Sequence, residues 1–116
     1  MNIVYYLKSC DTCQKILKSL PENHGLQLHD IKQEPLTATE VDTLKSLAGS
    51  YEALFSRKAQ LYKSLGLKDQ NLTEEDYRRY LLEHYTFLSR PVFVIDGKIF
   101  VGNQTAVVQK AIEALQ

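Results

Sequence analysis

Neither sign of charge is in excess. Fourteen Lys and Arg residues stand against 14 Asp and Glu, so no global field draws the chain to nucleic acid or to anionic lipid. No apolar run approaches the roughly 18 residues of a membrane span. The first residues already read as core strand, so no signal peptide is expected. Internal repeats, low-complexity tracts and linker-like stretches are lacking too. What remains is one globular domain. Its 116 residues, 44% hydrophobic and 24% charged, suffice for one hydrophobic core and are too few for two. Cysteine is scarce: Cys10 and Cys13 are the only two. A cytoplasmic location is expected, where reducing thiol pools disfavour a lone structural disulfide. A bond closing so small a loop would add little stability in any case.

The pattern that is present alternates strand and helix. Asn2 to Leu7 is an apolar run that reads as a buried strand, and residues 11–20 carry Ile16, Leu17 and Leu20 at helical spacing. Pro21 and Gly25 punctuate the chain before Leu26-Gln27-Leu28-His29-Asp30-Ile31, whose alternation predicts a half-buried strand. A strand–helix–strand unit of this kind makes its two strands parallel. The middle turns helical. Thr37 or Thr39 is the expected cap of a helix bearing Val41, Leu44, Leu47 and Ala48 that Gly49 ends. Tyr51 to Leu65 reads as a second helical stretch, broken near Ser56 and closed by Gly66. Thr73 caps a third, with Glu74, Glu75 and Asp76 in the first turn and Tyr77, Tyr80, Leu81 and His84 on one face. Pro91 to Ile95 is a dense β-type run, Asp96-Gly97 a strong hairpin turn, and Lys98 to Val101 the returning strand. Asn103 or Thr105 is expected to cap a final helix with Val107, Val108, Ala111, Ile112 and Leu115 on its apolar face. The predicted order is β-α-β, three helices, then β-β-α: an α/β fold with a four-stranded mixed sheet and a helical insert at about residues 35–89.

Three chemistries compete for Cys10-Asp11-Thr12-Cys13. A Cys-x-x-Cys beside a strand–helix–strand unit points to redox or nucleophilic work. Zinc is suggested superficially by His24 and His29 further on. In a zinc finger, however, the cysteines sit on a hairpin knuckle and both histidines on one helix. Here the cysteines open a helix and His29 lies in a strand, so the geometry is inverted. The third possibility, two inert buried thiols, ignores the position at a helix start, where exposed amides and the helix dipole favour a thiolate. Redox chemistry is therefore the reading adopted. Cys10 at the helix cap is expected to be the more exposed and more acidic thiol, with Lys8 and Lys15 assisting and Asp11 opposing. Cys13, one turn inside, is expected to resolve a mixed disulfide formed on Cys10. Arg90-Pro91 opens an apolar strand, which is one of the few places a sheet accepts proline. A trans peptide is the default there. The three histidines and seven tyrosines read as turn, strand, helix-end and packing residues.

The element order, the cysteine pair after the first strand and Arg90-Pro91 before the third resemble the thioredoxin fold. The insert sharpens this. Tyr5 through Lys15, Glu34-Pro35-Leu36-Thr37, Ser56-Arg57, Leu88 through Val94 and Val101-Gly102 are similar to the arsenate reductase-like (ArsC/Spx) family. The resemblance covers essentially the whole chain. It implies that Pro91 is a cis proline facing the cysteine loop and that Arg57 and Arg90 point toward the Cys10 sulfur. Guanidinium groups suit that role, because they bind tetrahedral oxyanions through paired charge-assisted hydrogen bonds and stabilise thiolates. Two positions depart from the arsenate-reducing members: Tyr6 replaces a histidine four residues before the nucleophile, and Asn103 replaces a third arginine.

The resemblance implies a thiol–disulfide oxidoreductase with Cys10 as nucleophile, Cys13 resolving, and Arg90, Arg57 and Pro91 lining the substrate side. No tightly bound cofactor or metal is expected. Glutathione, glutaredoxin or thioredoxin would be the reductant, and a small thiol, a protein disulfide or an oxyanion such as arsenate the substrate. The chain is expected to be monomeric, without nucleic acid or membrane partners. The family's regulatory branch supplies the alternative, a redox switch that binds the C-terminal domain of the RNA polymerase α-subunit. Gly49 falls where the regulator has a glycine important for that contact, although a helix-ending glycine is the stronger explanation of it.

Overall fold

A computed structural model describes residues 2–116. The chain forms two compact units, residues 1–34 with 90–116, and residues 35–89. Among the described residues no helix is long and apolar enough to cross a membrane.

The first unit is a mixed four-stranded sheet. β1 (Ile3–Tyr6) runs parallel to β2 (Gln27–Asp30) and antiparallel to β3 (Val92–Ile95), which pairs with β4 (Lys98–Val101), giving the order β2-β1-β3-β4. The β3–β4 hairpin turns through Asp96 (φ 51°) and Gly97 (φ 79°). Positive φ at both positions is what a tight hairpin turn demands and what Asp-Gly tolerates. The Asp96 N–H donates to Asn2 Oδ1 at 2.9 Å, tying the turn to the start of β1. Helices α1 (Asp11–Lys18) and α5 (Thr105–Ala114) lie on one face of the sheet. Val4, Leu20, Leu26, Phe93, Ile95 and Ala111 form the core there, flanked by Ile16, Leu17, Phe100, Ile112 and Leu115.

Two details of this unit differ from expectation. Leu28, expected inward by alternation, is 50% exposed, whereas His29 is buried. β2 is an edge strand, so the side chain opposite Val4 on the helix-bearing face has no neighbouring strand to cover it. His29 turns to the other face, 4.9 Å from the Tyr5 ring, with Nε2 2.7 Å from the Glu34 carbonyl oxygen. The cap of α5 is Gln104 rather than Asn103 or Thr105, and its side chain makes no capping hydrogen bond.

The second unit holds α2 (Ala38–Ala48), α3 (Gln60–Ser64) and α4 (Glu74–Glu83). Of the two candidate threonines Thr37 caps α2, in a reciprocal box with Glu40, and Gly49 ends the helix at φ 99°. Thr73 and Asp76 make the same box on α4. Such a cap satisfies two orphan amides at once. Thr73→Ala is expected to cost about 1 kcal/mol, read as a lower urea midpoint at unchanged slope.

The stretch from Tyr51 to Leu65 is helical at both ends, broken near Ser56 and closed by Gly66 as expected. A 3₁₀ turn at Glu52–Leu54 gives way to extended Phe55, and only Gln60–Ser64 forms an α-helix. Long-range pairing takes the backbone groups a helix would have used. Phe55 bridges Leu88, the Ser56 N–H donates to the Phe87 carbonyl at 2.7 Å, and the Ser89 N–H to the Leu54 carbonyl at 2.8 Å. Phe55 thereby reaches an aromatic cluster, 4.9 Å edge-on from Tyr77 and 5.3 Å stacked on Phe87. His84 also departs from its expected place on the α4 face. It stands extended beyond the helix, exposed, with Nδ1 accepting from the Thr86 N–H at 3.1 Å.

Candidate active site

The cysteine loop follows β1 and opens α1. Leu7 ends the apolar run, its carbonyl accepting from the Cys10 N–H at 3.0 Å. Gln14 donates through Nε2 to the Lys8 carbonyl at 2.7 Å, bracing the loop from one turn inside the helix. Cys10 is the N-cap, in extended conformation (φ −92°, ψ 116°). Unlike Thr37 and Thr73 it closes no side-chain capping hydrogen bond, but the first-turn N–H groups of Thr12 and Cys13 act on its sulfur.

The two thiols are free and unequal. Cys10 is half-buried and Cys13 fully buried. Partial burial by itself would raise the Cys10 pKa. The N–H and thiol of Cys13, the Arg90 charge and the Thr12 N–H together outweigh it, so the Cys10 pKa falls below its ordinary value. Burial pushes Cys13 the other way, to about 11, and the neighbouring Cys10 adds to the rise. The amides and charge around the pair thus favour one thiolate, on Cys10, with Cys13 protonated beside it.

Arg90 sits at the head of β3, and its peptide bond to Pro91 is cis, rather than the trans default. The Pro91 carbonyl accepts from the Gly102 N–H at 2.9 Å, extending the β3–β4 pairing past the strand ends. Arg90 is the cation that acts on both sulfurs. Lys8 and Lys15, expected to assist, are exposed. Replacing Arg90 with Gln is expected to slow iodoacetamide alkylation of Cys10 at neutral pH and to move its pH profile upward, with Arg90→Lys intermediate. An unchanged profile would remove Arg90 from the site.

Arg57 belongs to the other unit. Its Nη2 donates to Glu52 Oε2 in an ion pair and to Tyr77 Oη at 3.1 Å, and the guanidinium lies 5.9 Å from the Tyr77 ring centre. Glu52 and Tyr77 were invisible as partners in the sequence, because a separation of five residues between Glu52 and Arg57 is not a helical neighbour spacing. His24 and His29 use a ring nitrogen each within their own segments, His24 Nδ1 accepting from the Leu26 N–H at 2.9 Å. Among the described residues no group of three or more His, Cys, Asp or Glu side chains is placed to hold a metal ion.

The sequence matches the ArsC family over residues 5–111. The chain belongs to the ArsC family. This ArsC chain is 28% identical over 103 residues to an arsenate reductase of Neisseria meningitidis, covering 85% of its own length and 87% of the relative's. It is 25% identical over 105 residues to the global transcriptional regulator Spx of Bacillus subtilis, covering 88% and 79% of the two chains. Among solved structures it is similar to an arsenate reductase related protein of Brucella melitensis, with a TM-score of 0.73, 29% identity, and 94% and 92% of the chains covered. That likeness extends over nearly the whole of both chains, so the thioredoxin-like α/β fold with its mixed four-stranded sheet is common to the two.

Proposed function

We propose that this ArsC chain is a thiol–disulfide oxidoreductase in which the Cys10 thiolate attacks a disulfide or an oxyanion such as arsenate. The observation that carries this reading is the inequality of the two sulfurs. Cys10 is accessible with a lowered pKa, and Cys13 is buried with a pKa of about 11. A thiolate is the nucleophile in thiol exchange, and the buried partner stays in reserve as a thiol until it is needed.

With a disulfide substrate, Cys10 Sγ forms a mixed disulfide with one sulfur and expels the other as a thiolate, which takes up a proton. Cys13 then loses its proton to solvent and attacks Cys10 Sγ. The second substrate thiolate leaves, the substrate has gained two electrons, and the enzyme carries a Cys10–Cys13 disulfide. Glutathione, or a glutaredoxin or thioredoxin dithiol, returns those electrons. With arsenate, Cys10 Sγ would displace one oxygen as water to form an S–As(V) ester. Attack of Cys13 on Cys10 Sγ then breaks the S–As bond and leaves its electron pair on arsenic. Arsenic(III) is released as arsenite, with the Cys10–Cys13 disulfide formed. Arg90 stabilises the thiolate, Pro91 borders it, and Arg57 enters as a further oxyanion ligand on the family likeness.

The likeness to Spx of Bacillus subtilis favours a second reading, a redox-sensing regulator that binds the C-terminal domain of the RNA polymerase α-subunit. Gly49 adds nothing to it, because its φ of 99° at the end of α2 already accounts for a glycine there. Turnover decides between the two. The protein is assayed on arsenate and on a glutathione mixed disulfide, with glutathione, glutaredoxin or thioredoxin as donor. Turnover of either is expected. If neither is consumed the enzyme reading fails, and redox-dependent capture of the polymerase domain would establish the regulator.

A further inference from the structure

Arg57 lies on an exposed stretch between the 3₁₀ turn at Glu52–Leu54 and α3, yet its guanidinium is engaged on two sides. Both partners are held by α4. Tyr77 is a residue of that helix, and Glu74 of the same helix accepts from the backbone N–H groups of Tyr51 (2.8 Å) and Glu52 (3.0 Å), pinning the turn that carries the Glu52 side chain. Two long surface side chains ordinarily meet in many geometries and gain little. Here the turn, the hydroxyl and the arginine are positioned by one helix, so the site exists before any ligand arrives.

What occupies it is itself an anion. A carboxylate on a guanidinium is the intramolecular equivalent of a bound oxyanion, since both accept charge-assisted hydrogen bonds from the same N–H fork. The pair is open to water, with about half of each side chain exposed (50% and 52%). An exposed ion pair of this kind is weak, and a tetrahedral dianion brings more charge and more acceptor oxygens than one carboxylate.

We propose that Glu52 is a built-in competitor at an anion site formed by Arg57 and Tyr77. Its carboxylate occupies Arg57 in the resting protein and yields to an incoming tetrahedral oxyanion, to which Tyr77 Oη then contributes a hydrogen bond. Glu52 is thus a specificity-determining residue: it sets the threshold of charge an anion must carry to be held. The inference rests on the reading of Arg57 as an oxyanion ligand.

Sulfate, which the cysteines do not reduce, is the probe, titrated into the full-length protein and followed by the backbone amide NMR signals around positions 52, 57 and 77. Glu52→Gln is expected to tighten sulfate binding about three- to fivefold, the scale of an exposed pair, and Glu52→Ala to do the same. Arg57→Ala should abolish saturable binding, and Tyr77→Phe should weaken it. If Arg57→Ala weakens binding but neither Glu52 variant tightens it, the competitor role of Glu52 is wrong and the Arg57 reading survives. If Arg57→Ala leaves binding unchanged, the Arg57 reading itself is wrong. Cys10 alkylation, measured in parallel, reports on the nucleophile independently of either result.

Discussion

Cys10→Ser is expected to lose turnover by on the order of 10³-fold or more with every substrate the protein accepts, because a serine hydroxyl without a general base is a poor nucleophile at neutral pH. Cys13→Ser should behave differently. Its Cys10 can still attack, so one equivalent of substrate is consumed in a burst and the protein accumulates as a mixed disulfide. That species is visible as a mass increase of one glutathione when glutathione disulfide is the substrate. Multiple turnover then depends on an external thiol attacking the mixed disulfide, and its rate becomes proportional to that thiol. A Cys13→Ser enzyme with full activity at limiting glutathione would show that the second cysteine does not resolve. The pH dependence follows from the signs of the two shifts. The Cys10 thiolate forms as pH rises through its lowered pKa, so single-turnover attack climbs at a pH below that of a free thiol. Cys13 is raised to about 11, so below that pH it remains protonated and only Cys10 is alkylated by a limited dose of reagent.

The largest effect on stability is expected at Phe93. Its side chain is fully buried at the centre of the β1–β3–β4 sheet, opposite Val4 on one side and Phe100 on the other, and packed beneath α1 and α5. Phe93→Ala should cost about 3–5 kcal/mol, the sum of the lost transfer energy and the cavity left behind. That is a large share of the roughly 5–15 kcal/mol a domain commands, so the variant should unfold at much lower urea. Leu28→Ala is the control. Half-exposed on the edge strand, Leu28 should change stability by no more than about 0.5 kcal/mol. A loss at Phe93 as small as that at Leu28 would mean that the helix-bearing face is not the core.

Much of the fold was legible because local signals agreed with the tertiary outcome. Thr37 and Thr73 cap helices with an acid three residues on, Gly49 and Gly66 adopt positive φ where helices end, and Asp96-Gly97 turns a hairpin. Each is a short-range event whose energetics depend on a few neighbouring residues. The break near Ser56 between the two helical pieces of the Tyr51 to Leu65 segment has a long-range origin instead. The backbone there pairs with residues more than thirty positions away at Phe87, Leu88 and Ser89, and no periodicity within the segment encodes that. Leu28 and His29 show the same limit on a strand, where alternation names two faces but not which positions on an edge strand are covered.

The residue types at positions 10 to 13, by themselves, determined that this chain carries two thiols at a helix start, where a nucleophile can be made. They also determined a polarity between the two, since one is the cap and the other lies a turn inside. The tertiary structure decided the rest. It brought Arg90, about eighty positions along the chain, to act on both sulfurs, and it buried Cys13 deeply enough to raise its pKa to about 11. Arg57 it engaged with Glu52 and Tyr77. Charge and burial act through space, with strengths set by distance and by exclusion of water, and neither quantity is written in the spacing of residues along a chain.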